Sequence, residues 1–441
     1  MAIAVIPTGP VERDSLGRLP IDEAPLKPVH IVAAASVLGG AALDGYVLGI
    51  VGPALAIAQH ELQLSAISQG LIASSALIGV FIGGLLFGNL ADRFGRRPVF
   101  AWNLAAFIVL SLLQLVVQDV WQLVAIRLAL GLAIGVEYAV GSSFLAEFSR
   151  RKNRGVLLGC FGVGWQAVFT IAFVIGTFYH GDNWRMLLAS SVVPALITFI
   201  LRLTLPETPM WLKARGRVAE AEAIVARHFG PGYAIPDIAL DASLASPREL
   251  FTAQSWRQTL YSGFFWFCQV GPFFAIFTFM VPVLESLRLN GSAMVDMSLN
   301  LLQIVGSIAG VFLLHWMSRR GFVIWTFAIV LATFLALGLF PDAPTWIIVT
   351  LFATYMFVGP VANSIQFVYP AEIFDTHVRA TGIGFSAAFS RISAAGVTYL
   401  LPYLLLQFGF SATLILMALF PLLGLVMSIG WAPETKGKHL R

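Results

Sequence analysis

Two halves of this chain repeat one another at a nearly constant offset, which narrows the folds open to it. Residues 146–155 read AEFSRRKNRG and residues 371–380 read AEIFDTHVRA, each with a Glu seven positions before an Arg. Glu147 and Glu372 stand 225 positions apart. The tripeptide PET recurs at 206–208 and 433–435, an offset of 227. Residues 88–97 read GNLADRFGRR; residues 310–321, GVFLLHWMSRRG, read as a worn copy in which Asp92 falls on Ser318, an offset of 226. A repeat this long predicts two like halves with a binding site between them.

The medium of those halves follows from composition. The 441 residues are 58% hydrophobic and 11% charged, against about 25% charged in soluble domains. Lipid must solvate most of that apolar surface. The net charge of +4 is small, and the basic residues sit in short loops without forming a patch, which excludes nucleic acid as a partner. Cys160 and Cys268 fall in apolar runs and read as buried thiols. Residues 1–29 read as a polar, mobile tail without the basic-then-apolar order of a cleaved signal.

A helix needs about 20 apolar residues to cross the hydrocarbon core. Twelve runs qualify. Spans 1 to 6 cover 30–55, 68–90, 98–117, 121–145, 155–179 and 184–204; spans 7 to 12 cover 257–284, 293–317, 322–341, 345–367, 381–405 and 409–431. The fold class is an all-α membrane protein of two pseudo-symmetric six-helix bundles, 30–204 and 257–431. A polar linker, 205–256, joins them, and a second tail, 432–441, follows. Within the linker, 217–228 (RVAEAEAIVARH) predicts an amphipathic helix on the membrane face. Of 27 Lys and Arg residues, 23 fall on the side that holds both termini, and only Arg185 and Arg288 fall on the other. The excess of Lys and Arg places both termini in the cytoplasm. Arg127 and Arg391 lie inside spans.

GNLADRFGRRP, in the loop after span 2, resembles the signature of the major facilitator superfamily. RLALGLAIG (127–135), LPETPMWL (205–212), PAEIFDTHVRATGIGF (370–385) and PETKG (433–437) resemble its sugar-porter and metabolite:proton symporter branches. LDGYVLGIVGPAL (43–55) and SAAFSRISA (386–394) are most similar to bacterial organic-acid symporters, the aromatic-acid group among them. The resemblance covers residues 30–437. It implies proton-coupled uptake of a small organic anion across an inner membrane, by rocking of one half against the other. A neutral sugar or polyol is the alternative, and export a further one; span 5 lacks the Pro of the drug antiporters' motif there. The second acid of the organic-acid symporters' DGYD pattern is here Val47. The chain has no nucleotide loop, metal-ligand spacing or nucleophile motif, so it reads as neither an enzyme nor a pump and calls for no cofactor or metal. The partners expected are a carboxylate substrate, protons and the bilayer. The architecture calls for a monomer.

Charges within the bilayer are costly and mark function. At 1.5 Å per residue, Asp44 in span 1 and Arg127 in span 4 both lie about 21 Å from the inner edge. They are expected to form a proton switch, with a permanent ion pair as the alternative. Glu137, deeper along span 4, is the next proton site or one half of a gate pair. Arg391 lies about 15 Å into span 11. It awaits either a substrate carboxylate, which suits its fork, or helix carbonyls or Glu372. Tyr46, Gln166, Gln269, Asn300, Gln303, Asn363 and Gln366 are the neutral polar residues expected to line the cavity, with helix–helix hydrogen bonding as the alternative. Gln269 is the repeat mate of Asp44, offset 225. Trp165, Trp266 and Tyr355 are candidates to stack on a ring or to pack.

On the termini side, Asp92, Arg93, Gly95, Arg96 and Arg97 form the loop signature. Gly95 allows the turn, and Asp92 caps the next helix or pairs with an Arg. Glu147 with Arg154, and Glu372 with Arg379, are expected to join Glu207 and Glu434 in one gate network that controls conformation; solvated loop charge is the bland alternative.

Overall fold

The computed structural model describes residues 14, 16–150, 154–235, 247–252, 255–286, 293–366, 368–374 and 378–436. Backbone N–H and C=O groups find no water in hydrocarbon, so a chain this apolar satisfies them within helices. Among the described residues, ten helical stretches are long and apolar enough to cross a membrane, and Gly162–Thr177 is a shorter apolar one. The last stretch, Thr381–Trp431, runs for 51 residues, or about 76 Å if straight, over twice the hydrocarbon core. It breaks at Gly409, whose φ is 74°, and so crosses twice. The result is twelve crossings.

Span 1 is Pro28–Glu61, span 2 Ala66–Phe94, span 3 Arg96–Val116, span 4 Val120–Phe148, span 5 Arg154–Thr177 and span 6 Trp184–Leu203. Span 7 is Trp256–Thr278, span 8 Ala293–Trp316, span 9 Arg319–Leu339 and span 10 Thr345–Asn363. Span 11 covers residues 379–408 and span 12 residues 410–431. Capping side chains start several of them: Asp119 accepts the N–H of Trp121 and Gln122 at 2.8 and 3.0 Å, Asn183 those of Arg185 and Met186 at 3.1 and 3.2 Å, and the Ser65 and Ser318 hydroxyls those of Ser68 and Gly321 at 3.1 and 3.0 Å.

The two halves pack alike. Span 1 lies on span 5 and span 2 on span 4; in the second half span 7 lies on span 11 and span 8 on span 10. Between halves, span 2 meets span 11 and span 5 meets span 8. Gly70 makes the first meeting possible, because a Cβ there would lie 2.1 Å from the Tyr399 carbonyl oxygen.

The apolar core shows where the halves join. Away from the termini, one continuous cluster takes Phe169 and Phe173 from the first half and Phe273, Phe277 and Met280 from the second. Phe169 stands edge-on to Phe277 at 6.3 Å, and Trp165 to Phe274 at 5.8 Å. Towards the termini the core divides. Phe144, Phe148 and Leu212 belong to one cluster, Tyr261, Trp266 and Tyr369 to another. The molecule is therefore closed on the far side and separated into two halves on the termini side.

Four expectations change. The segment before span 1 is tied to the linker: Leu19–Pro20 pairs in parallel with Tyr233–Ala234, and Arg18 reaches Glu222 at 3.3 Å. Cys160 is exposed, and only Cys268 is buried. Arg202, counted with the loop charges, is buried at 1% exposure. The repeat register also moves. Gly95 is the N-cap position of span 3 and Ser318 that of span 9, so Ser318 corresponds to Gly95, and Asp92 lies one turn back inside span 2. The amphipathic helix of the linker forms as Val218–His228, after a shorter one, Pro209–Ala214.

Candidate functional site

Asp44 sits on span 1 with 0% exposure, and among the described residues neither carboxylate oxygen accepts a hydrogen bond. Its charged neighbours are Glu137 on span 4, Arg202 on span 6 and Arg391 on span 11. Arg127 is not among them. That side chain is buried at 1% and turns to span 2, where Nε donates to the Ile72 carbonyl at 3.3 Å. The expected Asp44–Arg127 switch is absent from this structure. Equal depth is one coordinate only, and the rotation of span 4 about its axis sends Arg127 elsewhere.

Glu137 meets Arg202 instead. The two carboxylate oxygens accept from Nη1 and Nη2 at 2.6 and 3.0 Å. Asn103 adds a third donor at 2.8 Å. Arg202 Nε donates to the Ser36 hydroxyl at 3.2 Å, and its guanidinium lies 4.0 Å from the Phe100 ring centre. Each charge is fully engaged, the condition for burying such a pair. The pair lies inside the first half, so Glu137 is not a gate between halves. Neither Arg202 nor Asn103 was anticipated. The signal for Arg202 was its place inside the apolar run ITFILRLTL.

Arg391 crosses from the second half to the first. Its guanidinium lies 5.3 Å from the ring centre of Tyr138 on span 4 and 5.4 Å from that of Phe274 on span 7. Contacts of this kind contribute about 0.5–2 kcal/mol each. Among the described residues no carboxylate stands at ion-pair distance from it, and Glu372 is taken by Arg319.

The neutral polar residues divide into two chains and one outlier. Gln166 donates to Gln303 at 2.9 Å across the two halves, and Gln303 donates to Asn300 at 3.0 Å. Gln366 donates to Asn363 at 2.9 Å and to Gln269 at 3.3 Å, while Trp266 donates to the Gln366 carbonyl at 2.9 Å. Gln269, Asn363 and Tyr355 line a cavity of about 30 Å³. Tyr46 is the outlier: its hydroxyl lies 2.8 Å from that of Ser190 in span 6, within the first half.

The termini side carries one device twice. Glu207 accepts the backbone N–H groups of Arg96 and Arg97, both at 3.2 Å, and Glu434 those of Arg319 and Arg320 at 3.0 and 3.3 Å. Glu207 thus caps span 3, a duty expected of Asp92, and Glu434 caps span 9, each meeting the positive end of that helix. Arg96 pairs with Glu147, and Arg319 pairs with Glu372 at 3.0 Å. Burial alone would raise the Glu434 carboxyl, but the N–H groups of Lys436, Arg319 and Arg320 hold it below the usual range. Arg93 lies 5.5 Å from the Phe94 ring centre. The side chains of Asp92, Arg154 and Arg379 lie outside the described residues.

Residues 32–441 match the family described as "Sugar (and other) transporter". The inner membrane metabolite transport protein YgcS of Escherichia coli K12 is 37% identical over 425 residues, 95% of each chain. The arabinose-proton symporter of Bacillus subtilis 168 is 26% identical over 93% of each. Among solved structures, a partially occluded inward-open conformation of the xylose transporter XylE from E. coli superposes with TM-score 0.76. It is 20% identical and covers 93% of this chain and 99% of that one.

Proposed function

Because this chain belongs to the Sugar (and other) transporter family, a branch of the major facilitator superfamily, we propose that it carries a small organic anion into the cell together with a proton. One observation supports this reading above the others. Arg391 is a cation at the junction of the halves with no carboxylate at ion-pair distance among the described residues, and the buried carboxylate of Asp44 is in its field.

A proton on Asp44 removes a charge that has no hydrogen bond to hold it. A substrate carboxylate on Arg391 removes the other, and its two oxygens match the guanidinium fork. With both neutralised, the halves cross the desolvated closed state at lower cost. The amide chains from Gln166 and Gln366 then offer donors and acceptors to the rest of the substrate. Glu207, Glu434 and the pairs Arg96–Glu147 and Arg319–Glu372 hold the ends of spans on the termini side as the halves rock. With both termini in the cytoplasm of a bacterial cell, the arrangement closed on the far side is the inward-facing one. Both halves complete their cores within one chain, as a monomer requires.

A neutral sugar or polyol is the second reading. Six amide side chains in two hydrogen-bonded sets favour it, as do relatives named for arabinose and xylose. Purified protein in liposomes separates the two. Proton-coupled currents are recorded while aromatic and aliphatic carboxylates, hexoses and polyols are added in turn. A carboxylate current that weakens by at least about thirtyfold in apparent affinity in Arg391→Gln, as expected when a buried charge loses its partner, supports the anion. A hexose current unaffected by Arg391→Gln overturns it.

A further inference from the structure

A cavity of about 760 Å³ lies on the termini side, between the first half and the linker. The start of span 3, the end of span 6 and the two linker helices enclose it. Its walls are of two kinds. One is apolar and open to the outside: Phe94 is 59% and Leu203 50% exposed, and Ala101 lines it with them. The other carries the guanidinium groups of Arg97, Arg217 and Arg227.

The two acids in the cavity offset that charge only in part. Glu207 is held by the N–H groups of Arg96, Arg97 and Thr208, and Glu220 is paired with Arg217. Arg97 and Arg227 are exposed, and among the described residues neither forms an ion pair. Their positive charge sits in the last turn of helix Val218–His228 and the first turn of span 3.

A soluble anion would draw on the free N–H groups at the start of span 3, and Glu207 already occupies them. The combination that remains, two guanidinium groups beside an open apolar wall at the level of the membrane surface, fits an amphiphile with an anionic head. The cavity is also far larger than an inorganic phosphate. We propose that it binds one anionic glycerophospholipid of the leaflet facing the termini, with the phosphate on Arg97 and Arg227 and the acyl chains along Phe94, Ala101 and Leu203. The lipid fastens the linker to the first half. This proposal needs only the position of the cavity at the membrane surface and holds whatever the substrate is.

Lipid retention tests it. The full chain is purified in detergent with equal amounts of phosphatidylglycerol and phosphatidylcholine, and lipid-bound species are counted by native mass spectrometry. The native chain is expected to retain phosphatidylglycerol preferentially. Each arginine near an anionic surface contributes roughly fivefold, so R97Q/R227Q is expected to cut that preference by more than tenfold, with R97K/R227K keeping most of it. Arg18→Gln, which removes a like charge from outside the cavity, is expected to leave it unchanged. Equal retention of the two lipids by the native chain overturns the proposal. So does undiminished preference in R97Q/R227Q, an equal loss in Arg18→Gln, or displacement of the lipid by millimolar inorganic phosphate.

Discussion

Arg202 holds both carboxylate oxygens of Glu137, at 2.6 and 3.0 Å, in a setting where each side chain is 1% exposed. The pair joins spans 4 and 6 in the charged neighbourhood of Asp44. Removing one partner strands the other charge, which typically costs about 3–5 kcal/mol. Glu137→Gln and Arg202→Gln are each expected to lower the thermal midpoint in detergent sharply. E137Q/R202Q is expected to recover much of the loss, because neither charge is then stranded. Additive losses in that double-mutant cycle would mean that the two residues act independently.

Asp44 answers differently to the same treatment. Its carboxylate is buried and accepts no hydrogen bond among the described residues, so a neutral isostere relieves a cost. Asp44→Asn is expected to leave the thermal midpoint unchanged or raised. Substrate exchange across liposomes should persist, while accumulation driven by a proton gradient is lost. Full proton-driven accumulation in Asp44→Asn would move the proton site elsewhere.

The residue pattern made the architecture legible and the partners illegible. Twelve apolar runs, the doubled PET and the paired arginines after spans 2 and 8 each correspond to observed elements. Counting residues along a span yields depth, which is why Asp44 and Arg127 looked paired. It yields no rotation about the helix axis, and rotation turns Arg127 to span 2 and brings Glu137 to Arg202. Arg202 itself was counted with the linker charges although span 6 runs to 204. The register of the worn repeat was three residues off, because Asp92 and Ser318 were matched on the offset shared by the other two landmarks. Backbone geometry shows that Ser318 begins span 9 as Gly95 begins span 3.

The far-side closure depends on Gly70. A Cβ there would lie 2.1 Å from the Tyr399 carbonyl oxygen, so any side chain forces spans 2 and 11 apart. Gly70→Leu is expected to shift the population towards a far-side-open arrangement without unfolding either half, because each half keeps its own core on the termini side. Spin labels at Ser65 and Leu406, both exposed, are expected to report a longer distance in this variant. An unchanged distance would show that the halves accommodate the clash locally.

The caps on the termini side respond to acid. Burial opposes ionisation of Glu434, but the N–H groups of Lys436, Arg319 and Arg320 outweigh it and hold its carboxyl below the usual range. A carboxyl whose folded value is depressed stabilises the fold above its ordinary value and loses that contribution as pH falls through the depressed one. The strap from residue 432 to 436 is thus expected to stay closed at neutral pH and loosen only in acid, below about pH 4. Hydrogen exchange at the Arg319 and Arg320 amides, followed from pH 7 downwards and corrected for the intrinsic rate, measures this directly. In Glu434→Gln the charge-assisted part, about 1 kcal/mol or more, is absent at every pH. The protection step should then vanish. If the native chain and Glu434→Gln lose protection along the same pH curve, the carboxylate is not what holds the start of span 9.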